Sequence, residues 1–160
     1  MDFKIGDGIW ALAGAIIWEI SKQLFGSVLK RKEDSKSAKI QLLKLDLERV
    51  IELTLSIHEN VLKYYSMKYD TDEAKEVSRH IKVKMKETGM MLNTLNYQFE
   101  KNNQHLIKID SWTKFKQAAT DNLDVKREDI WSENDVRIAN IYKYTNRLQF
   151  VLNRARYKIH

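Results

Sequence analysis

From Ile40 to Tyr64 the apolar residues fall on a single line. Ile40, Leu43, Leu47, Val50, Thr54, Ile57, Val61 and Tyr64 alternate steps of three and four, the spacing that stacks side chains on one face of an α-helix. A line kept this long is incompatible with a strand. It predicts a helix from Lys39 to about Met67 whose apolar face must be covered by other helices. Leu42, Leu45, Leu53 and Leu55 lie off the line, so this helix is expected to be apolar on more than one side and to run through the middle of the body.

Two further lines repeat the pattern. Val77, Ile81, Met85, Thr88, Leu92, Leu95 and Phe99 predict a helix from Thr71 to about Lys101, opened by a capping box of Asp70 and Glu73 and stopped at Asn102 and Asn103. Gly89 lies inside it. Glycine costs about 1 kcal/mol in a helix interior, so this position marks a weak point or a close approach. Ser111 is the expected cap of a shorter helix containing Trp112, Phe115, Ala119 and Leu123, and residues 121–129 are polar and turn-like. Ser132 with Asp135 then opens a last helix carrying Ile138, Ile141, Thr145, Leu148, Leu152, Ala155 and Ile159 to the C-terminus. The chain has no proline and five glycines among 160 residues, so helix breakers are nearly absent. The fold class is all-α: an N-terminal hydrophobic or amphipathic membrane-type helix, then an antiparallel bundle of three long helices and one short helix.

The N-terminal segment is the least polar part of the chain. Residues 8–18 form an uncharged run of 11 before Glu19 and Lys22 intervene, whereas a spanning helix needs about 20 apolar residues. Asp2, Asp7 and the bulky residues after Gly14 fit a cleaved signal peptide poorly. Wound as a helix, Ile9, Trp10, Ile16, Ile17 and Ile20 share an apolar side with Leu24, and Trp18 and Phe25 form a second strip. Membrane contact is expected through these eight residues. Ala15, Glu19, Lys22 and Gly26 occupy a narrow small and polar face. That face suits water, or contact with other copies as a helix–helix or pore face. Three units follow: a membrane-associating helix at 1–29, a charged linker at 30–38 (KRKEDSKSA) and a basic bundle at 39–160. If the helix spans, the cations after it place the bundle in the cytoplasm.

Charge is uneven as well. The formal total is +6; residues 1–29 hold two lysines against three carboxylates, so the rest of the chain carries +7. A basic helical body suggests acidic partners: anionic lipid, a nucleotide, nucleic acid or an acidic protein. Lys30, Arg31 and Lys32 adjoin the apolar segment, and Arg147, Arg154, Arg156 and Lys158 crowd the last helix beside Tyr157. Cations beside an aromatic suit phosphate binding and base stacking. Lys82, Lys84 and Lys86 alternate on the second bundle helix.

Catalytic signatures are sparse. Zero cysteines exclude a disulfide framework and a thiolate metal site. The four histidines form no HExxH pair; Glu76 and His80, four apart, read as an exposed helix pair. The five glycines build no phosphate loop. No catalytic residue, metal or cofactor is assigned. Arg154 and His160, with five residues between them, resemble the arginine-to-histidine spacing of the HEPN-type ribonucleases, which are also small helical bundles. The resemblance covers seven residues. The position after the arginine is Ala155, where those enzymes usually carry a polar residue. It implies an RNA-cleaving bundle; the simpler explanation is a basic helix end complementing the macrodipole.

The expected function is that of a small non-enzymatic membrane-associated protein. Its bundle binds a protein partner, an anionic ligand or further copies of itself, and its N-terminal helix anchors in or perturbs the membrane. In overall plan this looks like the short effectors of bacterial immune systems, in which a sensing bundle is joined to a membrane segment. The alternatives are a soluble adaptor with an apolar docking helix and a nucleic-acid-binding or ribonuclease bundle.

Overall fold

The computed structural model describes residues 5–100, 105–126, 130–132 and 134–159; before residue 33, Lys30 has the one described side chain. Four helices follow in order: α1 (Ile5–Tyr65), α2 (Asp72–Phe99), α3 (Ile109–Thr120) and α4 (Val136–Arg156). Among the described residues there is no strand. Residues 30–38, expected as a linker, are helical within α1 and exposed where described. The sequence offers no break there, since no glycine stands between Gly26 and Gly89 and proline is absent. By packing, the chain forms two units, Met1–Gln41 and Leu42–His160.

Within the second unit the α1 line faces the core. Leu43, Leu47, Val50, Thr54, Ile57, Val61 and Tyr64 are all buried, several with no exposed surface at all. Fully burying one such aliphatic side chain contributes about 1.5–3 kcal/mol before chain entropy is charged against it. The lines on α2 and α4 are buried likewise, except that Phe99 is half-buried. Each of these helices also buries one threonine, and the same device removes the cost each time. Thr54, Thr88 and Thr145 donate their hydroxyls to the carbonyls of Val50, Lys84 and Ile141, four residues back, at 2.7–2.8 Å.

Pairings between helices give the topology. Arg49 meets Glu87 and Lys63 meets Glu73, so α1 and α2 are antiparallel. Asn96 exchanges two hydrogen bonds with the backbone of Ile107, at 2.9 and 3.1 Å, and Ser78 donates to Asp124, so α3 runs back along α2. The Trp112 indole lies 3.6 Å from where a Cβ on Gly89 would stand, so the glycine marks the α2–α3 approach. Asp110 faces Arg147 across α3 and α4. Thr145 meets His58 and Arg156 meets Glu48, closing the ring from α4 to α1. This is an up-down-up-down arrangement with α3 as the short member. In such a ring α1 has an outer side like every other helix. Leu42 and Leu45 are each 61% exposed and Leu55 45%, so α1 does not run through the middle; of these four off-line leucines, Leu53 is the buried one.

Helix starts differ in detail from the expected ones. Thr71, not Asp70, caps α2 by accepting from the Ala74 N–H at 3.1 Å. Asp70 sits one residue too early, in the left-handed region at φ 71°, paired with Lys75. Lys108 stands at the α3 N-cap without a side-chain bond, and Ser111 is buried in the first turn. Asp135 alone caps α4, accepting from the Arg137 N–H at 2.8 Å. The helix ends at Arg156, yet Ile159 beyond it is still buried.

Polar and aromatic contacts fasten one end of the ring. Asp124 adopts φ 69° in the turn after α3, a conformation aspartate tolerates better than most residues. Its carboxylate accepts from Ser78 and Lys82, its carbonyl from the Tyr69 hydroxyl, and its N–H donates to the Tyr64 hydroxyl. Nearby, Trp131 stacks on Tyr65 at 3.9 Å, donates its backbone N–H to the Tyr65 carbonyl, and carries the Arg137 guanidinium 3.7 Å above its ring.

Two predictions follow from this packing. Leu47→Ala should cost about 2–5 kcal/mol in urea unfolding, whereas Leu45→Ala, two residues away, should stay within about 0.5 kcal/mol; equal costs would misplace the inner line. The second concerns acid. The Arg137 side chain holds the Asp135 carboxyl down at about 2, and Lys82 lowers that of Asp124. Carboxyls lowered on folding contribute stability above their unfolded range, and lose it as pH falls through the folded value. The melting temperature should therefore drop between about pH 4 and pH 2. Asp135→Asn keeps a capping oxygen and should make the drop shallower, because it removes the carboxylate that Arg137 holds.

Candidate functional site: a basic cleft between α3 and α4

The inner line of α4 decides what its outer side presents. With Ile138, Ile141, Thr145, Leu148, Leu152 and Ala155 turned inward, the opposite face is Lys143, Arg147, Phe150, Arg154 and Tyr157, again in steps of four and three and all exposed. The helix contains no acidic residue. All 22 carboxylates of the chain precede Val136, and six Lys and Arg follow it, so residues 136–160 carry the whole +6. This acid-free run is legible in the sequence, and it is the signal that would have singled out α4 as a complete basic element.

A cleft of about 390 Å³ opens beside this face. Arg147, Phe150, Val151, Arg154, Ala155 and Lys158 form its α4 wall, and His105, Leu106, Lys108 and Ser111 form the wall at the start of α3. The pair Asn96–Ile107 fixes that second wall by tying the segment before α3 to α2. Of the cations expected to bind an anion, Arg147, Arg154 and Lys158 converge here. Arg156 does not: its guanidinium lies 2.7 Å from Glu48 on the other side of α4. Lys30 is exposed in the first unit. Lys108, His105 and Phe150 were missed by the sequence reading. Phe150 could have been found by winding α4, but nothing local relates residues 105–108 to residues 147–158.

The electrostatics leave the cleft short of negative charge. Asp110 is shared between Lys114 at 3.1 Å and Arg147 at 3.8 Å, so Arg147 is only loosely paired. Arg154, Lys158 and Lys108 have no ion-pair partner among the described residues. The α3 N-terminus, uncapped by any side chain, adds a small positive potential to the same wall. A phosphate or similar anion entering here would meet several cations whose charge is not already neutralised. Two of the three alternating lysines of α2 are engaged differently, since Lys82 is held by Asp124 and Lys84 by Ser56, while Lys86 is exposed.

Other expected features separate from this site. Among the described residues no three His, Cys, Asp or Glu gather as metal ligands. His58 is half-buried with Thr145 Oγ1 at 2.9 Å from its Nδ1 and Tyr142 against its ring, and burial lowers its pKa. Glu76 and His80 are both exposed. Of the Arg154 and His160 pair, Arg154 lines the cleft and the residue after it, Ala155, is buried; His160 lies outside the described residues. So do Asn102 and Asn103. The side chains of Ile9, Trp10, Ile16, Ile17, Trp18, Ile20, Leu24 and Phe25, of Ala15, Glu19, Lys22 and Gly26, and of Arg31 and Lys32 also lie outside the description. Among the described residues no helix is long and apolar enough to cross a membrane.

Retention on phosphocellulose measures the cleft directly. The double variant Arg147→Gln with Arg154→Gln should elute at clearly lower salt than the parent, because each lost phosphate contact reduces the salt dependence. Arg156→Gln, which removes a cation already held by Glu48, should elute close to the parent. The reverse order would place anion binding elsewhere.

No family model matches this chain, and no match to it was found among curated proteins or solved structures.

Proposed function

We propose that this chain is a small non-enzymatic membrane-associated protein whose helical bundle takes an anionic ligand in the α3–α4 cleft. The observation that carries the reading is the convergence of Arg147, Arg154, Lys158 and Lys108 on one cleft, where among the described residues Arg147 alone has a carboxylate partner, Asp110, which it shares with Lys114. Charge of one sign on concave walls raises the local concentration of the opposite ion and speeds its capture.

The membrane part rests on the sequence of the N-terminal segment. Its two apolar strips, with Trp10 and Trp18 among them, suit the interfacial zone, and the cations at 30–32 suit anionic headgroups. On this reading the N-terminal helix anchors in or perturbs the bilayer, the bundle lies on the cytoplasmic side, and association of copies brings the Ala15, Glu19, Lys22 and Gly26 faces together. The protein would then act as an oligomeric effector, in the manner of those that serve bacterial immunity. A second reading, a protein-interaction module, is supported by Leu42 and Leu45, which are exposed on α1.

Flotation of the full-length protein with anionic vesicles tests the reading. The parent chain should float and should stay bound through a high-salt wash. Ile17→Asp should leave it in the unbound fraction, since a charge at a bilayer centre costs about 2.5–3.5 kcal/mol on insertion scales. A parent chain that remains a monomer in the unbound fraction would remove the membrane proposal and favour the interaction module.

A further inference from the structure

We infer that the outer face of α4 is a track for single-stranded nucleic acid, with Phe150 and Tyr157 as base-stacking platforms and Arg147, Arg154 and Lys158 as phosphate contacts. The inference rests on the anion-binding reading of the cleft and names its occupant.

The order of side chains along the face carries it. From Arg147 through Phe150 and Arg154 to Tyr157, charge alternates with aromatic surface along one line, and Lys143 extends it by a further cation. Phe150 is 67% exposed and Tyr157 76%. Neither ring is needed for the core, which the opposite line of α4 already fills. Cations tracking a backbone between aromatic platforms are what a single strand requires. Each base has a flat face to stack whatever its identity, and each phosphate needs one nearby charge. A duplex offers no free base faces, so the aromatics would be idle against it.

Length and shape narrow the ligand further. At about 1.5 Å per residue, Lys143 to Arg154 covers roughly 16 Å, more than one phosphate can occupy. Phe150 and Tyr157 stand about 10 Å apart along the axis by the same rise. Arg147, Arg154 and Lys158 also line a concave cleft, with Lys108 on the opposite wall. A strand can enter such a cleft, whereas a flat bilayer surface would touch its rim. Residues 136–160 contain no Asp or Glu side chain to oppose the strand.

The test is fluorescence anisotropy of the full-length chain with labelled single-stranded oligonucleotides of about a dozen nucleotides, RNA and DNA. The matching duplex, inorganic polyphosphate and phosphatidylserine-containing vesicles serve as competitors. The single strand should bind best, and log K should fall with log salt at a slope of about −2 to −3, for three or four phosphates at about 0.7 each. Arg154→Gln should flatten that slope by about 0.7. Phe150→Leu and Tyr157→Leu should each weaken binding by roughly tenfold while leaving the slope unchanged, since stacking is lost and charge is kept. Both sites are exposed, and an unchanged circular dichroism spectrum would show that the fold is intact.

Equal competition by polyphosphate, together with leucine variants that bind like the parent, would overturn the inference while leaving the anion-binding reading in place. Tighter binding of the duplex would overturn it too, as would binding of vesicles but of no oligonucleotide. If neither polyphosphate nor oligonucleotide binds, both the inference and the reading beneath it are lost.

Discussion

Seven side chains on one line of α1, Leu43 to Tyr64, hold the bundle together. They are buried because α2 and α4 bring matching lines against them from either side, and α3 completes the ring. Removing that line would leave the apolar stripes of α2 and α4 uncovered on the side that faces α1. Hydrophobic burial is proportional to area and has no direction, so it brings these helices together without choosing which residue meets which. Polar pairs between the helices fit the same register: Arg49 with Glu87, Lys63 with Glu73, and His58 with the buried Thr145.

Register is also set at the two ends. Asp124 ties the turn after α3 to the end of α1, to the α1–α2 connection and to α2. Tyr65, Trp131 and Arg137 form a stack that joins the end of α1 to the start of α4. At the opposite end, Asn96 supplies both halves of a backbone-like hydrogen-bond pair to Ile107. Each of these contacts meets a polar group that would otherwise lose its bonds to water. The last of them shapes the cleft, because it fixes the wall carrying His105, Leu106 and Lys108 beside α4.

The cleft is a by-product of the same inner lines. Once Leu148, Leu152 and Ala155 turn inward, Arg147 and Arg154 can only face outward, and α3 is too short to cover them along their length. The two remaining cations of the cluster part company for the same reason. Lys158 falls on the α3 side of the turn after α4, and Arg156 on the α1 side, where Glu48 neutralises it. A cluster that is uniform in sequence thus divides into an exposed basic surface on the cleft and one ion pair with Glu48.

The helical lines were legible without the structure, because a period near 3.6 is written directly in the order of residues: every residue read as inward on α4 is buried, Ile159 included. Helix starts were legible only to within a residue or a turn. Thr71 and Asp70 are both acceptable caps by type, and φ of 71° at Asp70 is a matter of how the turn closes. Ser111 looked like a cap but is buried in the first turn of α3, which begins earlier at Ile109. The off-line leucines of α1 misled for a different reason. Composition gives apolar surface but not the number of neighbours, and a helix in a four-membered ring has one side without any. What the sequence determined by itself was therefore the all-helical class, the inner lines and the acid-free basic run of α4, all properties of spacing along one chain segment. Only the tertiary structure decided that Leu42 and Leu45 face water, that Arg156 belongs to Glu48, and that Lys108 stands across a cleft from Arg154. Those relations join residues tens of positions apart, and they are fixed by how turns and packed side chains close the ring.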